Sequence, residues 1–520
     1  MDTNISVQFL GGVAGNNLTG SCTLLIIKRR KRTTRILVDI GMIQCGFKEF
    51  FADNYDILNH LKPENIDAVI LTHPHIDHVG RLPLLVKTGF TKSRILCTEA
   101  TADLLRVMLE DSAKIQSIES TRLKERSRKE KRSRSGNSGL GRERLTLGNY
   151  DRVRRKGKQA AHRPDEPLYT LTEVEAAGRL VKNGGCPYQT WIKIDKGIDL
   201  KLYPSGHVLG GAICVIRIET KNNLIHLGFS GDLGPRNGII LPPPALVEEA
   251  LDYWVSESTY GGKTHPPREE EISRLLDLVR RAIDKKQKII IPSFALERTQ
   301  EIVYLLSYYM QDKTIPLIPI YLDSPMAAKI TSVFAKNWHQ QMFLGQEALR
   351  FNPFDTQENI FFKTIGDKAS SLALLKEPAP HIIIAGSGMC DAGRIRDHLR
   401  TGLSQKNTII CLVGYMATNS LGRKLKDRLP IVKMNGDEIV VKAEIVDFDS
   451  FSAHADSPFL VDYTKTIAAR GKLKKIFLNH GEEMSSASLK MELINALADG
   501  NGYWLKNIQI PKLGEELILS

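Results

Sequence analysis

No apolar run in the sequence approaches the ~18–20 residues needed to span a bilayer, so a helical membrane protein is excluded and no membrane partner is expected. The amino-terminal stretch MDTNISVQFLGG lacks the basic start and apolar core of a secretory signal. Cysteine is sparse and unpaired. The seven (Cys22, Cys45, Cys97, Cys186, Cys214, Cys390, Cys411) are scattered without a CxxC, which argues against a disulfide frame and for reduced thiols in the cytoplasm. What remains, 42% hydrophobic and 25% charged over 520 residues, is an ordinary globular composition with length for roughly two to four domains.

Acidic residues are outnumbered, and the imbalance is local. The chain carries +13, yet Arg122–Lys158 alone holds 15 lysines and arginines against four acids, with few apolar residues. A stretch of this kind cannot bury enough surface to fold alone, so residues 120–160 are expected to form a long, mobile, solvated insert. It reads either as a solubilising arm or as an arm that grips a polyanion, and its concentration in one place favours the second. A second basic knot, KRRKR at Lys28–Arg32, falls between CTLLII and RILVDI and reads as a hairpin turn.

Short apolar runs alternate with helical patterns along the chain. SVQFLGG, CTLLII, RILVDI and IDAVILT read as strands, and helical periodicity follows in RLPLLVK and from Ala100 to Ile115. YTLTEVEAAGRLV presents a capping box at Thr172 and Glu175. WIKI, LKLYPS, ICVIRIE and LIHLGFS read as further strands, and the texture changes near Tyr260. Beyond it comes a second α/β alternation: KIIIPS, a helix from Ala295 to Met310, PIYLDS, HIIIAGSG and TIICLV. The division expected is 1–247, 248–443 and 444–520, the last returning to the first.

The chemistry gathers in THPHIDHVG, which puts His73, His75, Asp77 and His78 in one loop after the run IDAVILT. Two imidazoles two residues apart at a strand end can aim at one ion, while Asp77 and His78, entering a helix, suit a second. Four ligands do not fill two sites. His207 after LKLYP, Asp232 after LIHLG and His480 after KKIFLN each end an apolar run, where open α/β sheets place their sites. Two divalent ions about 3.5–4 Å apart form a known hydrolytic arrangement. Zinc is favoured by histidine-rich ligation, with manganese the alternative. Asp39, ending RILVD, is placed to steady a ligand histidine from behind.

These residues resemble the metallo-β-lactamase superfamily: His73–His78 matches its HxHxDH motif, and Asp39, His207 and Asp232 match its other motifs. SEST with Glu257, FSAHAD with His454 and FLNHGE with His480 resemble the β-CASP branch, as do PSFALERTQE, LDSPMA, GSGMCDAGR and GYMATNSLGR. The resemblance runs from about Val7 to Glu482 and implies an α/β fold, an αββα sandwich with an inserted α/β β-CASP cap domain. It implies that His73, His75 and His207 hold one metal ion, Asp77, His78 and His480 the other, and that Asp232 bridges both. A histidine at 480 resembles the RNA-processing members, compact prokaryotic ribonucleases among them, and the endonuclease subunit of the cleavage and polyadenylation specificity factor.

The implied activity is hydrolysis of RNA phosphodiester bonds by a hydroxide formed between two ions, mainly endonucleolytic with 5′–3′ exonuclease action alongside, leaving 5′-phosphate and 3′-hydroxyl. Asp77 is expected to orient the nucleophile, and His454 to protonate the leaving oxygen with Glu257 setting its ring. Ser387 and Gly388 in the glycine-rich loop, with Arg298 and Arg423 at or near helix starts, are candidates to grip RNA phosphate; structural pairing of the two arginines is the alternative. The expected partner is single-stranded RNA, and members of the branch often form homodimers. A hydrolase of a small ester or thioester and a non-catalytic RNA-binding relative are the competing readings. The cap motifs and the basic insert disfavour the first, the filled ligand positions the second.

Overall fold

In the computed structural model, which describes all residues except 1–2, 15–18, 45–49, 93, 135–165, 222, 339–350, 379, 415, 417–418, 435, 499–501 and 520, two sheets face each other and a third stands apart. The first sheet runs in the order Glu516–Leu519, Asn4–Gly11, Cys22–Arg29, Arg32–Val38, Ala68–Ile70, Ile95–Leu96. The KRRKR knot is indeed a hairpin, with Arg29 opposite Arg32 and Arg30 and Lys31 at its tip. The second sheet runs Ile508–Gln509, Lys475–Asn479, Tyr253–Glu257, Leu224–Phe229, Ala212–Glu219, Ile198–Pro204, Ile192–Asp195.

Alternation along the strands builds four layers. Val7, Leu25, Ile36 and Val38 of the first sheet and Leu202, Ile216, Leu227 and Val255 of the second share one core between the sheets. Their neighbours face outward: Leu24, Leu37 and Val69 meet helical residues such as Leu85 and Leu105, while Trp254, Ile476 and Leu478 meet Leu460, Leu489 and Leu493. This is the αββα sandwich.

The third sheet is wholly parallel, in the order Phe362–Thr364, Ile320–Leu322, His381–Ala385, Lys288–Pro292, Thr408–Val413, Glu444–Phe448. Its strands are apolar on both sides because helices cover both faces. Ile289, Ile291 and Ile384 pack with Leu278 and Leu305, and Ile290, Ile383 and Ile410 with Leu399 and Leu425. This is the inserted α/β cap.

Four expectations need correcting. Tyr253–Glu257, assigned to the cap by a boundary at 248, is a central strand of the sandwich, and Glu444–Phe448, assigned to the return at 444, is an edge strand of the cap. Residues 120–134 of the basic insert are helical, not loop, because the helix Glu99–Arg134 continues through them; residues 135–160 lie outside the described residues. The capping box is Thr170 with Glu173, not Thr172 with Glu175: the Glu173 carboxylate takes the Thr170 N–H at 2.7 Å. That register puts Tyr169 before the cap and Val174 in the first turn into one core, as a hydrophobic staple requires. Fourth, Arg298 is buried, as described below. Among the described residues no helix is long and apolar enough to cross a membrane.

Candidate metal centre

The site forms where strands of the two sandwich sheets end. Ala68–Ile70 leads through Thr72 into His73, and the helix Ile76–Val79 carries Asp77 and His78 back toward Asp39. Asp39 sits at φ 60°, a conformation that aspartate tolerates. There its Oδ1 accepts the Thr72 N–H at 2.8 Å while Oδ2 lies 2.7 Å from His78 Nδ1. Gly41 is required beside it, because a Cβ would stand 1.5 Å from the Asp77 carbonyl oxygen. Backbone bonds from Ile40 to the His78 carbonyl and from Met42 to the Ile76 carbonyl, both 2.8 Å, lock the loop in place.

His73, His75, His207 and Asp232 bring four ligand atoms within 4.8 Å of one another, and Asp77, His78 and His480 bring three. In the first nest His73 Nε2 is 3.1 Å and His207 Nε2 3.2 Å from His75 Nδ1. In the second, His78 Nε2 and His480 Nε2 are 3.2 Å apart, and Asp77 Oδ2 is 3.5 Å from His480 Nε2. Asp232 lies between them: its Oδ2 is 3.5 Å from His73 Nε2 and 3.4 Å from His78 Nε2, and its Oδ1 is 3.4 Å from His480 Nδ1.

The donor chemistry fits cations. Facing imidazole nitrogens satisfy one another poorly, and buried Asp232 Oδ1 has no hydrogen-bond donor. Burial, then the charge of neighbouring histidines, pushes His73 and His207 well below the ordinary histidine range; burial also takes His75 down to about 4. These three are therefore neutral, the form that ligates metal. Burial opposes charge on His78 and His480 too, but Asp232 with Asp39 or Asp77 outweighs it and raises both. The geometry gathers seven residues of metal-ligand type into two adjoining nests.

A third group overlaps these two. Asp232, Glu257 and His454 bring ligand-type atoms together, with His454 Nδ1 3.3 Å from Glu257 Oε2 and 4.0 Å from Asp232 Oδ2. Glu257, the last residue of its strand, is oriented by the Leu233 N–H, 2.5 Å from its Oε1. Burial disfavours the imidazolium of His454, but the Glu257 carboxylate overcomes this and raises it to about 9.

Several partners carry little or no sequence signal. The Ala453 carbonyl is 2.9 Å from His207 Nδ1, which leaves Nε2 facing the nest. Thr259 donates its hydroxyl to the His480 carbonyl at 2.9 Å, and its place two residues beyond Glu257 in SEST was the only hint of it. Glu297, at φ 68°, accepts the Leu209 N–H at 3.0 Å and so ties the cap to the loop of His207.

The four residues expected to grip RNA lie in the cap, apart from both nests. Arg298 is buried and paired with Glu301 one turn on, so its guanidinium is spent inside the protein. Arg423 is exposed and bonded to Asp427 at 2.9 Å. Ser387 is half-buried, its Oγ accepting the Ala392 N–H at 3.2 Å, and Gly388 is buried beneath Phe294.

Comparison with known proteins agrees with this geometry. Residues 19–293 match the metallo-β-lactamase superfamily, 299–425 the β-CASP domain and 438–510 a Zn-dependent metallo-hydrolase RNA specificity domain. A ribonuclease of Thermus thermophilus is 31% identical over 90% of this chain and 92% of its own length. Transcription termination factor FttA of Methanocaldococcus jannaschii is 28% identical over 92% of this chain and 67% of its own. An RNase J-like protein of the same archaeon is 26% identical over 89% of this chain and 90% of its own. With its matched sandwich, inserted cap and strand-end histidines, the chain belongs to the β-CASP branch of the metallo-β-lactamase superfamily.

Proposed function

We propose that this chain is a metal-dependent ribonuclease that cuts single-stranded RNA, mainly endonucleolytically and with 5′–3′ exonuclease action alongside, to leave 5′-phosphate and 3′-hydroxyl ends. The observation that carries the reading is the third group. A histidine–glutamate pair shares Asp232 with two metal-type nests, and its histidine is open to water where three of the nest histidines are sealed: the His454 side chain is 22% exposed, those of His73, His78 and His207 1% each.

In this reading His73, His75 and His207 hold one ion, Asp77, His78 and His480 the other, and Asp232 both, with zinc favoured over manganese by three neutral imidazoles on one side. Bound there, two divalent ions would supply a water of lowered pKa and positive charge beside the scissile phosphate. The rest is work for the protein. Asp77 orients the attacking water. His454, kept protonated by Glu257, gives its proton to the departing O3′ as the phosphorus–oxygen bond breaks. Divalent ions bound in the nests would disfavour the imidazolium of His454 and so favour release of its proton. In this reading the sandwich supplies the ligands, and the cap, whose sheet runs from Lys288 to Phe448, supplies surface for the RNA strand beside them.

Purified protein incubated with a 5′-labelled RNA and the matching single-stranded DNA, with and without chelator, tests this. Cleavage of RNA alone, lost on chelation, is the expected result. Failure to cut any RNA in a chelator-sensitive way overturns it.

A further inference from the structure

We propose that Phe294 is a stacking platform for one base of the bound RNA strand, a subsite that rests on the ribonuclease reading above. Phe294 follows the strand Lys288–Pro292, which lies between His381–Ala385 and Thr408–Val413 in the parallel cap sheet. The loops after these three strands meet at their carboxyl ends, where open α/β sheets bind ligands. Among the described phenylalanines Phe294 alone is exposed, at 37%.

An exposed phenylalanine is ordinary by itself; its seat is not. A Cβ on Gly388 would stand 2.7 Å from ring atom Cδ2 and 2.8 Å from Cε2, and one on Gly414 would stand 3.7 Å from Cε2. Backbone of both neighbouring loops therefore supports the Cδ2–Cε2 side of the ring, and no larger residue fits at 388 without displacing it. The main chain is pinned as well. The Phe294 carbonyl accepts the Thr299 hydroxyl at 2.7 Å, and the Ser293 N–H bonds the Ala385 carbonyl at 3.0 Å. A ring held this way loses little freedom when a ligand lands on it.

The surroundings suit a nucleotide. Ser387 precedes Gly388, and the short helix Leu421–Lys426 docks on the same loop through a 3.0 Å bond from the Gly422 N–H to the Met389 carbonyl, carrying exposed Lys424 between Arg423, paired with Asp427, and Lys426, paired with Asp449. An aromatic face beside hydroxyl and cationic groups is how single strands are held without regard to sequence. The loop also reaches the metal centre: three residues past Phe294, Glu297 bonds Leu209, two residues from His207.

The test is cleavage kinetics of a single-stranded RNA by wild type, Phe294→Ala and Phe294→Trp, repeated on copies with one abasic nucleotide stepped along the strand. F294A is expected to raise KM about five- to hundredfold, and F294W to restore it. At one abasic position wild type should suffer the same loss and F294A no further one. F294A matching wild type on intact RNA, or losing as much as wild type at every abasic position, overturns the platform alone. Wild type that leaves RNA uncut overturns the ribonuclease reading and the platform with it. Melting temperatures of the variants separate lost stacking from misfolding, and a folded F294W with the KM of F294A also refutes the platform.

Discussion

Replacing His454 with alanine should slow the chemical step and leave the metal centre intact. The side chain contacts Glu257 at 3.3 Å and lies with its ring centroid 4.5 Å from that of His207, but it belongs to neither metal nest. General acids contribute about 10²–10⁴-fold, or roughly 3–5 kcal/mol of barrier, and that is the loss expected in single-turnover cleavage of 5′-labelled RNA. Bound metal per chain should match wild type. The sharper measurement uses a strand whose scissile O3′ is replaced by sulfur. A thiolate departs without a proton, so the variant's defect should shrink to about tenfold or less, while the defect on ordinary RNA persists. Equal slowing on oxygen and sulfur would refute the proton-donor role, and loss of metal would move His454 among the ligands.

Other sites give independent tests. Asp39→Ala removes the carboxylate that steadies His78 and should weaken metal binding about 10–100-fold, read by titrating apoprotein with zinc; unchanged affinity would show that Asp39 does not tune that ligand. Arg298→Ala leaves buried Glu301 without its ion-pair partner and should cost about 3–5 kcal/mol in thermal or denaturant unfolding. A variant of native stability with weakened RNA affinity would return Arg298 to the RNA surface. Deleting Arg122–Lys158 should weaken RNA binding and flatten the slope of log K against log salt, by about 0.7 for each phosphate of the single strand that the arm neutralises. An unchanged slope would make the segment a solubilising arm.

Much of the fold was legible because its strands are two-sided. KIIIP, HIIIA and TIICLV are apolar on both faces, as only a covered parallel sheet demands, and all three lie side by side. Sheet membership was not legible. YWVSE and EIVDF look alike, and nothing local says that one joins the sandwich and the other the cap, since the pairing partners lie far away in sequence. The helix reaching Arg134 was missed for another reason. Charge density reads as loop, yet Glu99–Arg134 contains no glycine or proline and is rich in helix formers, so propensity and the Arg122–Glu119 pair at 2.5 Å sustain it. For Arg298 the alternative of structural pairing holds, and ERTQE carries it: Glu301 stands three residues on, in reach of one turn.

At the site, side-chain ligands announce themselves at strand ends, and backbone partners do not. This divides the two nests. Asp77, His78 and His480 are all presented by the sandwich, with Asp39 behind His78, so the chemistry there is written in the sequence almost entirely. The His207 side is held from across the junction: the Ala453 carbonyl fixes its Nδ1, one residue from His454, and Glu297 of the cap holds the Leu209 N–H. Gly210 is tied the other way, its carbonyl accepting the hydroxyls of Thr98 and Thr101 at 2.7 and 2.8 Å. The loop bearing His207 is therefore stretched between sandwich and cap, so its geometry depends on how the cap is seated. On its other side this junction is bonded to the sandwich, the Ala455 N–H meeting the Leu233 carbonyl at 2.7 Å, so the residues on either side of His454 touch the His207 ring and the strand-end loop of Asp232.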